Sequence, residues 1–275
     1  MFLITTMIAL LCLVVSICIN VNWINDIACY FGYFLAIYLV TFIALIPGFN
    51  YVFHFVSLLF EKKTKKQCVK KEQDVTILIP VYNAKETIKE TLESIQKQKY
   101  CGDIFVKIID DGSTDGTLAL LKSMELDSNT TIIEATHQGK SIALNKALQT
   151  VKTDYTITVD ADTVLHPLAV RNIMSQLMNS DEKIAAVAGC IFVKNAKKSF
   201  ITKLQEWDYT LGIFGVKFVQ GNYQSTLVAQ GAFSAYKTKM LKEIGGWETC
   251  IGEDIVLTWQ LLAKGYETGF AKNAI

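Results

Sequence analysis

The sequence of 275 residues is poor in several features that mark particular classes of protein. It has three prolines and three histidines, so a His-rich metal site is not expected. Its seven cysteines are scattered and form no CxxC pair, which argues against a zinc ribbon and a disulfide scaffold. Its 27 Lys and Arg balance 26 Asp and Glu, so it lacks the basic excess of a nucleic-acid-binding domain. We expect reduced cysteines and no nucleic-acid partner.

Charge is almost missing from residues 1–60, where Asp26 is the only ionised side chain. Residues 1–19 form one apolar run and residues 27–60 form a second. Because a bilayer crossing needs about 20 apolar residues, each run predicts one membrane span. The first run lacks the basic start and the cleavage site of a signal peptide. Residues 1–60 are therefore predicted to be a membrane anchor.

The second apolar run is too short for two crossings and a turn. We expect its span to end near Leu45, followed by a break at Pro47 and an interfacial stretch over 51–60. Residues 61–72 (EKKTKKQCVKKE) form a basic linker with six lysines. By the positive-inside rule this linker stays cytoplasmic, and residues 20–26, which contain no basic residue, form an outer loop.

From residue 73 onward, buried strand patterns alternate with helical patterns. The predicted strands are 75–80, 104–110, 130–135, 155–160 and 184–193, and the later predicted helices are 118–124, 140–151 and 167–178. Residues 83–86 predict a capping box for a helix whose inner face carries Ile88, Leu92 and Ile95. This alternation predicts an α/β domain with a mostly parallel sheet over residues 73–275.

Polar residues follow three of the predicted strands. Tyr82 follows the first, the DDGSTDG segment 110–116 ends the second, and Asp160 and Asp162 follow the fourth. Ligands bind beyond the carboxyl ends of strands in open α/β sheets. Clustered oxygens there suit a hard divalent cation that serves phosphate groups. Either acidic cluster alone would equally fit an ordinary turn, because Asp and Gly favour turns.

Lys140 follows Gly139 at the start of a predicted helix. A cation at that position opposes the helix dipole at a cost of about 0.3–1 kcal/mol. A bound anion such as a diphosphate would explain it, and an exposed lysine that tolerates the position is the alternative. The sequence has no GxGxxG after the first strand, no GxxxxGK[ST] and no GxSxG, so dehydrogenase, P-loop NTPase and α/β-hydrolase functions lose support.

Five motifs in this order resemble family-two glycosyltransferases of the GT-A fold: VTILIPVYNAKETI, IIDDGSTDGT, HQGKSIALNKAL, TVDADTV and GEDIVLTWQLLAKGY. The resemblance covers about residues 73–275. With two membrane helices in front, it is most similar to membrane polysaccharide synthases of the poly-N-acetylglucosamine synthase type. It implies inverting transfer of a sugar, N-acetylglucosamine at the family level, from a UDP-sugar to a growing β-linked polysaccharide. The expected location is the cytoplasmic face of the plasma membrane, where partner subunits of an export complex are possible.

The resemblance also implies roles for residues that match the family motifs. Tyr82 and Asp111 would hold the uracil ring, and Lys140 would lie near the nucleotide. Asp160 would contact the ribose, and Asp162 would meet a diphosphate bound to Mg²⁺ or Mn²⁺.

Further motif residues would serve the acceptor. Asp254, beside Glu253, matches the family's catalytic base, which takes a proton from the attacking hydroxyl. Gln230, Gly231 and Trp247 lie where family members build the acceptor pocket. The indole of Trp247 could stack on a sugar ring, and it would equally fit an ordinary core.

The acidic pair also has a purely structural explanation, since acidic residues suit helix N-termini without catalysis. The helix that follows is predicted to turn Ile255, Trp259 and Leu262 inward.

One departure from the family concerns chain growth. Processive members carry a QxxRW-type motif after the GED segment, whereas this chain has a single arginine, Arg171. Residues 270–275 read as an unfinished strand, so we expect a C-terminally truncated domain. Two alternatives stay open: transfer of one sugar to a lipid-linked acceptor, and a catalytically silent nucleotide-sugar-binding subunit.

Overall fold

The computed structural model describes residues 2–59, 73–223 and 225–275. The predicted basic linker 61–72 lies outside the described residues. The chain divides into two compact units, Met1–Lys65 and Lys66–Ile275.

The first unit consists of two long apolar helical stretches. Helix α1 (Phe2–Phe31) ends at Gly32, whose positive φ of 80° is readily adopted by glycine. Helices α2 (Tyr33–Val40) and α3 (Ile46–Leu59) follow. Both stretches are long and apolar enough to cross a membrane, by length and composition. The outer loop expected at 20–26 is wrong in this structure, because α1 continues through those residues.

The break expected at Pro47 is also absent from the described helix Tyr33–Leu59. The chain instead widens into a π-helical turn, Thr41–Leu45, between α2 and α3. There the N–H of Ile46 reaches the carbonyl of Thr41, five residues back. A proline removes one helical hydrogen bond and crowds the carbonyl four residues before it. The wider turn just ahead of Pro47 absorbs this conflict without ending the helix.

The second unit contains alternating strands and helices. In chain order they are β1 (Val75–Val81), α4 (Ile88–Gln96), β2 (Ile104–Asp111), α5 (Thr117–Ser123), β3 (Thr130–Ala135), α6 (Lys140–Leu148), β4 (Tyr155–Val159), α7 (Ala169–Met178), β5 (Ile184–Ala188), α8 (Phe200–Asp208), a π-helical turn (Tyr209–Gly215), α9 (Val216–Tyr223), β6 (Phe233–Lys237), α10 (Thr238–Glu243), α11 (Glu253–Ala263) and β7 (Glu267–Phe270). The fifth strand is shorter than predicted and ends at Ala188.

The described strands form one sheet in the order β3-β2-β1-β4-β6-β5-β7. All neighbouring strands are parallel except for β6, which runs antiparallel to β4 and β5. Alternate residues of β1 belong to two hydrophobic clusters, with Ile77 and Ile79 in one and Leu78 in the other. Because helices cover both faces, β1 is buried along nearly its whole length. The predicted α/β fold is confirmed.

Two local predictions in this unit are wrong. Helix α4 begins after Thr87 without a side-chain cap, so residues 83–86 are not a capping box, although Ile88, Leu92 and Ile95 are buried as predicted. Helix α11 buries Leu257, Thr258 and Leu261, whereas Ile255 and Trp259 are exposed. Thr258 can be buried because its hydroxyl donates to the Asp254 carbonyl (2.7 Å) and accepts from the Ala229 N–H (2.9 Å).

Candidate active site at the strand ends

The carboxyl ends of β1, β2 and β4 border a cleft of about 560 Å³. Parallel strands bring these ends to the same edge of the sheet. Five of the residues singled out by sequence line this cleft: Tyr82, Asp111, Lys140, Asp160 and Asp162.

The loops after β1 and β2 are joined by hydrogen bonds. The Asn83 N–H donates to the Ser113 hydroxyl (3.0 Å), and the Thr114 N–H donates to Asn83 Oδ1 (2.8 Å). Asp115 accepts from the Lys85 N–H (3.1 Å). A hydrogen bond from the Thr117 hydroxyl lowers the pKa of the Asp115 carboxyl, with help from neighbouring N–H groups. Much of the GSTDG sequence therefore shapes the rim of the cleft.

Asp111 organises the loop that leads into α6. Its side chain is buried, and Oδ1 and Oδ2 accept from the N–H groups of Gln138 and Gly139, both at 2.9 Å. Gly139 has a φ of 101°, a conformation suited to glycine. This loop places Lys140 at the first position of α6, beside the cleft. The contact between Asp111 and uracil stays a prediction.

His137 belongs to the cleft but was missed by sequence reasoning. Its ring stacks on Tyr82, with centroids 4.1 Å apart and planes inclined by 21°. Its Nδ1 lies 2.9 Å from Asp111 Oδ2. The available signal was its place three residues before Lys140, in the loop after a strand of the same parallel set.

Lys140 joins the strand ends to α11. Its Nζ lies 2.7 Å from Asp160 Oδ1 and 3.3 Å from Glu253 Oε1. Burial by itself would lower the pKa of Lys140, but the two carboxylates outweigh this effect and the pKa is raised. Lys140 is therefore a firmly charged ammonium at neutral pH.

Negative charge exceeds positive charge around Lys140. Burial raises the pKa of the Asp160 carboxyl, and the nearby Asp162 and Glu253 add to the rise against the opposing effect of Lys140. The Lys140 ammonium is thus outnumbered by the nearby carboxylates of Asp160, Asp162 and Glu253, so the group carries an excess of negative charge.

The excess of negative charge around Lys140 raises the question of whether a divalent cation would fit there. Within residues 2–59, 73–223 and 225–275, no group of three or more His, Cys, Asp and Glu side chains could hold a metal by itself. Mg²⁺, however, usually binds through one or two carboxylates and completes its shell with water and substrate phosphates. Asp160 and the exposed Asp162 line the cleft and supply that number, so the residues fit a cation that arrives with a phosphate ligand.

Asp254 lies at the N-terminal end of α11, where the helix dipole favours a carboxylate. Its Oδ2 accepts from the Gly231 N–H at 3.0 Å. A Cβ at position 231 would lie 2.9 Å from Lys140 Nζ, so only glycine leaves the Lys140 contacts undisturbed. Glu253, Asp254 and Gly231 are thus brought together with the strand-end residues through Lys140.

The other two expected acceptor residues have structural partners. Gln230 Nε2 donates to the Gly189 carbonyl at 2.9 Å. Trp247 is 3% exposed, packs edge-on against Tyr236 at a centroid distance of 6.0 Å, and belongs to the second core cluster. The expected sugar-stacking role of Trp247 does not fit this burial, because neither indole face is accessible.

A second residue missed by sequence reasoning is Lys217 on α9. It is buried, and its ammonium donates to the Val228 carbonyl at 2.6 Å. Burial lowers the pKa of Lys217 to about 8, against the opposing charges of Asp254 and Cys190. The signal was a single lysine within the apolar segment GIFGVKFV.

Comparison with known proteins decides the family. Residues 76–245, more than half of the chain, match the family described as "Glycosyl transferase family 2". The chain belongs to this family. It is 29% identical to the poly-beta-1,6-N-acetyl-D-glucosamine synthase of Staphylococcus aureus over 205 residues, which are 74% of this chain and 49% of that protein. The chain thus spans about half the length of this curated relative.

Two solved structures that contain a bound nucleotide sugar share the fold. The mannosyltransferase PcManGT from Pyrobaculum calidifontis, in complex with GDP-Man and Mn²⁺, superposes with a TM-score of 0.66 at 23% identity, covering 82% of this chain and 62% of that one. Staphylococcus aureus TarS 1–349, in complex with UDP-GlcNAc, gives a TM-score of 0.50 at 15% identity over 73% of this chain and 56% of that one. These likenesses show the GT-A fold, and the family match shows that the chain is a family 2 glycosyltransferase.

Proposed function

We infer that this chain moves N-acetylglucosamine from UDP-N-acetylglucosamine to a growing β-linked polysaccharide, with inversion, at the cytoplasmic face of the membrane. The observation that carries this is the meeting of the strand-end cleft with the Glu253-Asp254 pair through Lys140. The named activity of the staphylococcal relative supports the choice of sugar and product. The two apolar helices of the first unit support a membrane location.

The donor would lie in the cleft. The uracil would meet the Tyr82 ring and Asp111, and the ribose would meet Asp160. Asp162, with Asp160, would hold Mg²⁺ or Mn²⁺, and the charge of that cation would stabilise the departing diphosphate. Lys140 needs no proton change to attract that diphosphate, since its raised pKa keeps it charged.

Asp254 would act as the general base. The acceptor hydroxyl loses its proton to the Asp254 carboxylate as its oxygen attacks the anomeric carbon. The bond from that carbon to the diphosphate oxygen breaks on the opposite side, so an α-linked donor gives a β-linked product. The Gly231 N–H donates to Asp254 Oδ2 (3.0 Å) and the Ile255 N–H donates to Asp254 Oδ1 (2.9 Å), so both oxygens are oriented. A carboxylate oxygen has a second lone pair, with which it would take the proton. Gln230 and Gly231 would border the acceptor.

Transfer of radiolabel from UDP-N-acetylglucosamine by membranes that carry the full chain tests this function. We expect a ladder of labelled oligosaccharides with Mg²⁺ or Mn²⁺, and its loss with Asp254→Asn or a chelator. Asp127→Asn, a change on an exposed loop, is the matched control and should leave transfer intact. If the product carries only a single added sugar, the function is transfer to a lipid-linked acceptor and not polymer synthesis. Donor binding without any transfer would leave a binding subunit.

A further inference from the structure

Helix α9 buries a lysine to which the proposed sugar transfer gives no role. Lys217 is 7% exposed, although lysines are rarely buried without a charged partner. Its ammonium donates to the Val228 carbonyl at 2.6 Å, and among the residues that the structure describes no carboxylate forms an ion pair with it. A buried charge without a counter-ion opposes folding. The packing of α9 therefore does not explain why a lysine occupies this position.

The carbonyl that Lys217 holds belongs to the peptide group between Val228 and Ala229. The N–H of the same peptide group donates to the Thr258 hydroxyl on α11 (2.9 Å), and that hydroxyl donates to the Asp254 carbonyl (2.7 Å). Because a peptide group is planar and rigid, holding its oxygen from α9 and its N–H from α11 fixes its orientation. One chain of hydrogen bonds thus connects Lys217 with the backbone of Asp254.

The segment 228–231 also reaches the side chain of Asp254. Gly231 follows Val228 by three residues, which span at most about 11 Å, and its N–H donates to Asp254 Oδ2 (3.0 Å). Burial lowers the pKa of Lys217 to about 8, and the negative charge of Asp254 works against that shift, so the two charges act on each other. Lys217 is thus connected to both the backbone and the carboxylate of Asp254.

We propose that Lys217 is a positioning residue for Asp254. Through the 228–229 peptide group and Thr258, it would hold Asp254 in the orientation in which the carboxylate meets the acceptor hydroxyl. A misplacement of about 1 Å in a reacting group can lower a rate by about 100-fold. The proposal rests on the role of Asp254 as general base, and it adds a residue that does not line the cleft.

Substitutions along the chain of hydrogen bonds test this role in the full protein. Lys217→Met keeps a long apolar side chain but removes the donor and the charge, and Thr258→Val removes the hydroxyl at the other end. Val219→Ala is the matched control, because it opens a cavity at a buried position of the same helix and leaves the chain of hydrogen bonds intact. For each variant we would measure the rate of labelled transfer at saturating UDP-N-acetylglucosamine, the donor KM, and denaturant unfolding at pH 7.

We expect Lys217→Met to lower the transfer rate by about 10- to 100-fold with the donor KM unchanged. Its stability at pH 7 should not fall, because a buried charge is removed. Val219→Ala should show the reverse, with lower stability and an unchanged transfer rate. The double variant Lys217→Met, Thr258→Val should be no slower than the slower single variant, because both changes break the same chain of hydrogen bonds.

Three results would overturn the positioning role of Lys217. They are an unchanged transfer rate in Lys217→Met, a loss of its stability at pH 7 together with its rate, and losses of rate that multiply in the double variant. Asp254→Asn in the same assay separates this test from the proposed function. Full transfer by Asp254→Asn would remove the base itself, whereas an inactive Asp254→Asn beside a fully active Lys217→Met would remove only the role of Lys217.

Discussion

Two sides of the active site differ in how their residues are held. On the strand-end side, Tyr82, Lys140 and Asp160 line the cleft directly after a strand or at the start of a helix. The helix side is formed by residues 230–231, 247 and 253–254. There, some of the residues that match family motifs lie at the site and others lie in the hydrophobic core. Trp247 is buried in the core, whereas the Gly231 N–H donates a hydrogen bond to Asp254 beside Lys140. Topology alone delivers side chains to a strand end, whereas tertiary packing decides which residues on the helix side remain accessible.

The largest expected effect is on stability, from Trp247. Trp247→Ala should lower the free energy of unfolding by about 3–5 kcal/mol, because it empties a core position against Tyr236. Trp259→Ala, at a half-exposed position of α11, should change it by at most about 0.5 kcal/mol. Denaturant unfolding of the full chain in detergent measures both. If the Trp247→Ala variant kept its stability and bound the acceptor more weakly, Trp247 would be an acceptor-binding residue and not a core residue.

The next effect is a pH dependence on the helix side. The pKa of Lys217 is about 8 in the folded chain and about 10.4 in an unfolded one. Between these values the unfolded state binds more protons, so stability should rise with pH by roughly 3 kcal/mol and be lost again as pH falls through 8. The difference between wild type and Lys217→Met in thermal unfolding from pH 7 to 10.5 isolates this contribution. A difference that does not vary with pH would mean that the lysine is solvated.

A smaller effect concerns Lys140, whose ammonium lies between the two sides of the site. Lys140→Met should weaken UDP-N-acetylglucosamine binding by about 10- to 100-fold, because a charged hydrogen-bond donor of about 1.5–3 kcal/mol is lost. Lys146→Met is the control on the same helix, where the ammonium donates to the Glu134 carbonyl. Calorimetric titration of both variants gives the comparison. Equal affinities would place the diphosphate elsewhere.

The smallest expected effect is that of a substitution at Gly231, which lies against Lys140 between the two sides of the site. Gly231→Ala should push the Lys140 ammonium away from Asp160 and reduce donor affinity by about fivefold, the equivalent of one broken contact of roughly 1 kcal/mol. In a Lys140→Met background the same change should have no further effect. Additive losses in the double variant would show that Gly231 acts independently of Lys140.

The sequence predicted the strand-end side well for a physical reason. Apolar β-branched runs identify β1, β2 and β4, and parallel topology brings whatever follows them to one edge. His137 was missed because its position depends on the loop bonded to Asp111. The helix side depends on packing choices that periodicity does not decide.

Helix α11 illustrates that limit. Ile255, Trp259 and Leu262 satisfy the helical spacing, yet Leu257 and Leu261 are the buried pair and Thr258 joins them through two hydrogen bonds. Apolar residues on several faces left more than one possible inner face. In the first unit, Pro47 predicted a break that the π-helical turn Thr41–Leu45 avoids.

The most direct test of the division between the two sides measures donor binding and sugar transfer together. Wild type, Asp160→Asn and Asp254→Asn are compared in the same vesicles with UDP-N-acetylglucosamine and Mg²⁺ or Mn²⁺. We expect Asp160→Asn to lose donor binding, and Asp254→Asn to bind the donor while transfer falls by about 10²–10⁴-fold. Loss of donor binding in Asp254→Asn equal to that in Asp160→Asn would contradict the assignment of the base to the helix side.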